Sequence, residues 1–382
     1  MNILFVSENY FPKVSGVPVV VKYLAEGLQE KGHKVSVATR LYRGLERNEV
    51  INGVNVYRFS LDQNCIFIPF GEVDIFCSFI KDFNADVIIV ECAQCVMTNA
   101  LLKLLPKLKC KKIFHSHGFS GLTYKPFKKC DSLKHTIGNT FRWMSMRLYY
   151  ATLFRKYIKY FDTTLCLSEI DSSKEYLEKY SKGCSVLGNA VDDEFLVHAK
   201  ECDIKLPPKY FVSIANYQSV KNQKGILREY YKTNIETYSM VFIGRAKNEY
   251  YNELIEYNSL LEQKYGKRNV FFLYGVARKN IPFILQNAFL YIVASFIEAY
   301  SISIIEAMAK GIPFISTNVG NARILPGGIT VNSEYEISDA IIKLINSPHD
   351  YQLLSDRGRI FVKENCTKEK VIDKINNIIS TI

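Results

Sequence analysis

The sequence predicts an α/β protein of two domains, each built on a parallel sheet, and three observations carry that expectation. The chain has 382 residues, which suits two domains at about 100–200 residues each. Short apolar runs of strand type alternate with helix-length amphipathic segments along its whole length, and such alternation implies parallel sheets covered by helices. Near the middle, acidic and basic residues mix over Asp192–Lys209 and Pro207-Pro208 marks a linker, after which a second alternating series begins.

The first series opens with a strand at Asn2–Ser7, an amphipathic helix at Val17–Glu30 closed by Gly32, and a strand at Val35–Thr39. This β-loop-α-β unit is Rossmann-like and puts its loop at the carboxyl edge of the sheet, where ligands bind. It offers Ser15-Gly16 in place of G-x-G-x-x-G. Its second strand ends at Thr39-Arg40, without the acidic residue that holds a nicotinamide ribose, so a nicotinamide enzyme is not expected. Further strands are expected at Val54–Phe59, Asp86–Val90, Lys112–His115 and Phe161–Ser168. Cys92-Ala93-Gln94-Cys95 could be a redox pair or half a zinc site, or two structural thiols, and no second Cys/His pair accompanies it. His115-Ser116-His117-Gly118 lies at a strand's carboxyl edge, a better place for a site than a lone histidine. No third metal ligand stands at recognisable spacing.

Composition narrows the function classes. Hydrophobic residues make up 48% and charged residues 23%, which fits packed cores in a soluble protein. Neither an export signal nor a membrane span is recognisable, so the ten cysteines are expected as reduced thiols in a cytoplasmic protein. The net charge of +11 favours acidic partners. Much of it falls in residues 121–160, where nine Lys and Arg face one acid, Asp131, among Phe141, Trp143, Met144, Leu148 and Tyr149. Such a stretch either docks on an anionic membrane surface or is a domain helix with solvated bases. No nucleic-acid module supports binding to DNA or RNA.

In the second series, Tyr210–Ala215 is a strand followed by Asn216-Tyr217-Gln218-Ser219-Val220-Lys221 and a helix from Ile226. Met240–Gly244 and Val270–Gly275 are further strands. Residues 290–331 then carry the densest signal. A strand at Leu290–Ala294 leads through Ser295–Tyr300 into a helix over Ser303–Lys310, and Gly311 precedes a strand at Pro313–Thr317. A helix start offers free N–H groups and a positive dipole end to a phosphate, and nearby carboxylates suit sugar hydroxyls. Ser303-x-x-Glu306 equally fits a capping box, and Glu298 an ordinary loop residue.

Glu298-x7-Glu306-Ala307-Met308-Ala309-x-Gly311-x-Pro313, running into Ser316-Thr317-Asn318-Val319-Gly320, resembles the donor-site signature of retaining GT-B glycosyltransferases of the family-4 type. The resemblance extends over nearly the whole chain and is weakest over 41–85 and 121–160. It implies two Rossmann-like domains facing across a cleft, an N-terminal one at 1–195 and a C-terminal one at 196–366, with a helix at 367–379 packing back on the first. It assigns Glu298 to the donor sugar, Glu306 to the nucleotide ribose and Lys221 to the donor diphosphate. Backbone near Val276 is assigned to the base and Tyr300, Ser301 and Ile302 to donor binding, with the helix end at 301–303 supplying charge stabilisation. Gly16 falls near the donor phosphates, and His117 on the sugar. Two departures stand out: Glu298-Ala299-Tyr300-Ser301 lacks the glycines of E-G-F-G, and Asn216 stands where the family has an Arg, with Lys224 or Arg245 as substitutes. The implied function is transfer of a sugar from a nucleotide-diphosphate sugar to a glycan or lipid-linked acceptor, with no cofactor and no metal, in the cytoplasm or on the inner face of the membrane. Alternatives are a nucleotide-sugar epimerase of the same fold and a degenerate, non-catalytic partner protein.

Overall fold

The computed structural model describes residues 1–13, 16–119, 122 and 133–382, with backbone alone for 133–137 and 139. The chain divides into two compact units, Met1–Asn189 with Glu369–Ile382, and Ala190–Lys368. The boundary falls at 189/190 and not at 195. Val191 forms a bridge with Thr367, Asp192 pairs with Lys368, and Phe195 is buried in the second unit's core.

In the first unit the strands are β1 (Asn2–Val6), β2 (Lys34–Arg40), β3 (Asn48–Ile51), β4 (Val54–Phe59), β5 (Leu61–Gln63), β6 (Pro69–Gly71), β7 (Val87–Glu91), β8 (Lys111–His115), β9 (Thr163–Cys166) and β10 (Cys184–Val186). Eight of these form a sheet in the order β10-β9-β8-β7-β1-β2-β4-β3, parallel except at the β3–β4 edge, while β5 and β6 make a separate hairpin. The central strands β1 and β7 are buried almost throughout, as expected of strands covered on both faces. The register pairs Glu91 with His115 across β7 and β8, which brings the ends of these strands side by side.

The second unit holds β11 (Tyr210–Ile214), β12 (Ser239–Gly244), β13 (Val270–Tyr274), β14 (Leu290–Val293), β15 (Phe314–Thr317) and β16 (Gly328–Val331), all parallel in the order β13-β12-β11-β14-β15-β16. Every loop that leaves the carboxyl end of one of these strands therefore emerges at a single edge, the ligand edge of a parallel sheet.

The helix Lys368–Thr381 belongs to the first unit. It buries Val371, Ile372, Ile375 and Ile379, and Ile372 sits on Gly27 of the helix Val17–Glu30. A Cβ at Gly27 would lie 2.2 Å from Ile372 Cδ1 and 2.7 Å from its Cγ1, so only glycine lets the two helices approach this closely. Gly27→Leu is expected to destabilise the first unit by about 1–3 kcal/mol through overpacking. Adding Ile372→Ala should recover part of that loss in urea unfolding. Additive losses in the double variant would show that the two positions do not share this contact.

Candidate functional site

In the second unit the turn after β11 is built on Tyr217. Its buried ring fills the space left by Gly244, and its hydroxyl donates to the Phe242 and Leu273 carbonyls at 3.2 and 2.7 Å. Asn222, at φ 51°, then caps the helix Gln223–Lys232 by accepting from the Gly225 N–H at 3.1 Å. Between these anchors Lys221 projects onto Glu298. Its Nζ stands 2.5 Å from Glu298 Oε1, which also accepts from Ser295 Oγ at 2.9 Å. The Phe296 N–H donates to the Val220 carbonyl at 2.9 Å and ties the two loops together. Two residues 77 apart in the chain, assigned to one donor, thus meet as an ion pair.

Glu306 is placed otherwise than a capping box requires. The helix spans Ile302–Ala309 with Ser301 at its cap position and no side-chain cap bond, so Ser303 lies inside the first turn. The Glu306 carboxylate turns to Arg278 instead. Arg278 Nη1 donates to Oε2 at 3.1 Å, and Nη2 contacts Oε1 and also Asp192 Oδ2 at 3.3 Å. Asp192 is held in turn by Lys368 at 3.0 Å, and the Arg278 guanidinium lies over the Phe195 ring. Burial pushes the Glu306 carboxyl up, and Arg278 opposes that shift. No motif spacing points to Arg278. It lies in the turn after β13, two residues beyond Val276, which is itself half-buried.

Residues 298–301 adopt no left-handed backbone, so Ala299 and Ser301 take the place of glycines without strain. The close approach is made from the other side by Gly320, at φ 52°, where a Cβ would meet Glu298 Cβ and the Glu298 and Ala299 carbonyl oxygens at 3.1 Å. Ser301 N–H donates to Asn321 Oδ1 at 2.8 Å, and Ile302 begins the helix. Asn216 has an exposed side chain, and its carbonyl accepts from Gln223 Nε2 at 2.9 Å. Lys224 is drawn to Glu253 at 2.7 Å, away from the Lys221–Glu298 pair, while Arg245 is exposed.

In the first unit Gly16 has φ 62° and ψ −133° and starts the helix Val17–Glu30, a backbone that glycine tolerates; Ser15 lies outside the described residues. His117, at φ 54°, turns back on the strand ends. Its Nε2 is 2.5 Å from Glu91 Oε2, and His115 Nδ1 is 3.1 Å from the same oxygen. Glu91 is the third group that the spacing could not show, since it lies 24 residues before His115 and arrives through the β7–β8 register. Among the described residues these three are the group whose donor atoms could hold a metal, lying within 4.8 Å of one another. Cys92 and Cys95 are free thiols, and the Cys92 contact and burial push the Cys95 thiol well up.

Burial pushes the Glu91 carboxyl up, but His115 and His117 beside it more than offset this and hold it at about 2. A carboxylate depressed in the folded state stabilises the fold above its unfolded value, near 4.5, and that contribution is lost as pH falls toward 2. Removing the charge with Glu91→Gln should flatten the fall in unfolding free energy between pH 5 and 2 by about 3 kcal/mol. An equally steep fall in the variant would show that Glu91 is not ionised in the folded protein.

The family model described as Glycosyltransferase Family 4 matches residues 14–195, and that described as Glycosyl transferases group 1 matches residues 197–361. An N-acetyl-alpha-D-glucosaminyl L-malate synthase of Bacillus anthracis is 24% identical over 185 residues, about half the length of each chain (47% of both). A probable sucrose-phosphate synthase of Thermosipho melanesiensis is 22% identical over 96% of this chain and 91% of its own. Among solved structures, a sucrose-phosphate synthase from Thermosynechococcus elongatus superposes with a TM-score of 0.74 at 14% identity, covering 99% of this chain and 98% of the other. Anabaena HepE, solved in complex with UDP and glucose, gives 0.71 at 15% identity over 100% and 99%. With its two halves matched in order by the two family models and its two parallel sheets, the chain belongs to the GT-B glycosyltransferases of the family-4 type.

Proposed function

We propose that the protein transfers a sugar, with retention of configuration, from a nucleotide-diphosphate sugar to a glycan or lipid-linked acceptor. The observation that carries this reading is the Lys221–Glu298 pair beside the start of the helix Ile302–Ala309. One cation and one helix end stand ready for a leaving diphosphate, and one carboxylate for sugar hydroxyls. Relatives of the same fold, solved with UDP and UDP-glucose, support a nucleotide-sugar donor. Glu306 takes the ribose, with Arg278 fixing its carboxylate, and Val276 backbone takes the base. Charge on the departing diphosphate is met by Lys221 and the N–H groups that open the helix Ile302–Ala309. Catalysis is then positioning and electrostatic stabilisation, and no step is assigned to a metal. With Asn216 in the place of a cation, Lys221 carries more of the load.

Incubation with a panel of nucleotide sugars, scored for transfer, hydrolysis and epimerisation, tests the reading. Epimerisation alone would replace transfer with the epimerase chemistry, and no turnover with any donor would favour a non-catalytic partner. With the accepted donor, Glu306→Ala should weaken nucleotide and nucleotide sugar alike by about ten- to hundredfold, the loss expected for hydrogen bonds to a charged group. Lys221→Ala should lower turnover by about 10²–10³. Unchanged nucleotide affinity in folded Glu306→Ala would remove the ribose assignment.

A lipid-linked acceptor is favoured by the helix Leu133–Tyr149 and its continuation. Tyr149, Tyr150, Phe154 and Tyr157 are buried in the core, whereas Phe141, Met144 and Leu148 form an exposed apolar stripe. Arg142, Arg147, Arg155, Lys156 and Lys159 are exposed around it. Lys125, Lys128, Lys129 and Asp131 lie outside the described residues, as does the side chain of Lys134. No helix among the described residues is long and apolar enough to cross a membrane. At about 1 kcal/mol per Lys or Arg near an anionic surface, four such residues suffice for reversible docking on the inner face of the membrane. Binding to anionic but not neutral vesicles is expected, fading as the Debye length shrinks from about 10 Å at 0.1 M salt to about 3 Å at 1 M. Equal binding to both, or none, would favour a soluble acceptor.

A further inference from the structure

The assignment of His117 to a sugar leaves unexplained why its ring is held against Glu91. His117 leaves the end of β8 with left-handed backbone, an uncommon and costly state for a residue with a Cβ. Cys92 (φ 64°) and Gln94 (φ 63°) share that conformation just beyond β7. Three strained residues thus gather at one corner of the sheet, the pattern of a functional edge. The outcome of that strain is the 2.5 Å contact between His117 Nε2 and Glu91 Oε2. Glu91 itself has no exposed side-chain surface, and its other oxygen has no hydrogen-bond partner among the described residues.

We infer that Glu91 is a positioning residue for His117: it accepts a hydrogen bond from Nε2–H, which fixes the neutral Nε2–H tautomer and leaves Nδ1 to accept a hydrogen bond from a sugar hydroxyl. The part that concerns sugar rests on the function proposed above; the tautomer does not. Burial and the neighbouring His115 lower the affinity of His117 for a second proton, while Glu91 and Asp171 act the other way. The ring of His115 lies 3.9 Å from that of His117, centroid to centroid, and two imidazolium ions cannot share that space without repulsion. His115 Nδ1 lies 3.1 Å from the same Glu91 oxygen without completing a hydrogen bond, so its ring packs beside the His117–Glu91 contact.

The Glu91–His117 separation supports the hydrogen-bonded reading over a metal site. Ligands bound tetrahedrally at about 2.0–2.2 Å from zinc stand about 3.4 Å apart. The Glu91–His117 separation of 2.5 Å is far shorter and has the length of a hydrogen bond to a carboxylate.

The test is long-range proton–nitrogen NMR on the ¹⁵N-labelled full chain, with His117 assigned by loss of its signals in His117→Gln. A protonated Nε2 and bare Nδ1 at neutral pH are expected. Glu91→Gln should mix the tautomers and move the His117 titration to lower pH. With an accepted donor, turnover should fall about ten- to hundredfold while the KM for the nucleotide sugar changes less than about twofold, as expected for a lost charged hydrogen bond remote from the nucleotide. Glu91→Asp should restore part of the turnover. A protonated Nδ1 in the wild-type protein overturns the inference, as does an unchanged titration in folded Glu91→Gln. Stoichiometric zinc binding that displaces the Nε2 proton overturns it in favour of a metal site. The expected tautomer in a protein that turns over no donor would retain the positioning role and reject the proposed function instead.

Discussion

A carboxylate withdrawn from water must meet a cation or several donors, or the fold bears a cost of several kcal/mol. Three glutamates impose that condition here, and the loops at both ligand edges are arranged to satisfy it. Glu298 meets Lys221, Glu306 meets Arg278, and Glu91 meets both His115 and His117. Each pairing joins segments far apart in the chain. In the second unit the partners come from the turns after β11 and β13, and the acids from the loop and helix after β14. Parallel pairing makes this possible, because it sends all those turns to one side of the sheet. The acids therefore specify the loop paths as much as they serve a ligand.

Much of this was legible in the sequence where the signal is periodic or contiguous. The strands Val54–Phe59 and Lys112–His115 coincide with β4 and β8 to within a residue, since the first alternates apolar and polar residues after Gly53 and the second centres on Ile113-Phe114 before Ser116. The stretch 290–331 carried its own strand, loop, helix and strand because each is punctuated by Ser, Gly or Pro. The edge strand β3 and the hairpin β5–β6 escaped notice. They are three or four residues long, and β3 alternates between exposed and half-buried positions with polar residues among them. Neither length nor periodicity separates such pieces from loop.

Site chemistry was legible residue by residue but not pair by pair. Lys221 and Glu298 were each marked, yet nothing in a spacing of 77 says that they touch. Arg278 and Glu91 were not marked at all, because a single Arg after a strand or a Glu at a strand's end is unremarkable until register brings it to a partner. The helix start illustrates the converse. Ser303-x-x-Glu306 satisfies a local rule, and a tertiary partner with a full positive charge outbids it. The missing loop glycines have a similar explanation, since the close approach they would allow is supplied by Gly320 on a neighbouring loop.

The return of the helix Lys368–Thr381 to the first unit has a consequence for biosynthesis. The second unit is one continuous segment, Ala190–Lys368, whereas the first is split around it. During translation the ribosome therefore delivers all of the second unit before the piece that covers Gly27 exists. The usual order, in which the amino-terminal domain matures first, is reversed here. Until that helix emerges, the Val17–Glu30 helix leaves an apolar face uncovered, and a nascent chain stalled near residue 368 would be a substrate for chaperones although the whole of its second unit has been made.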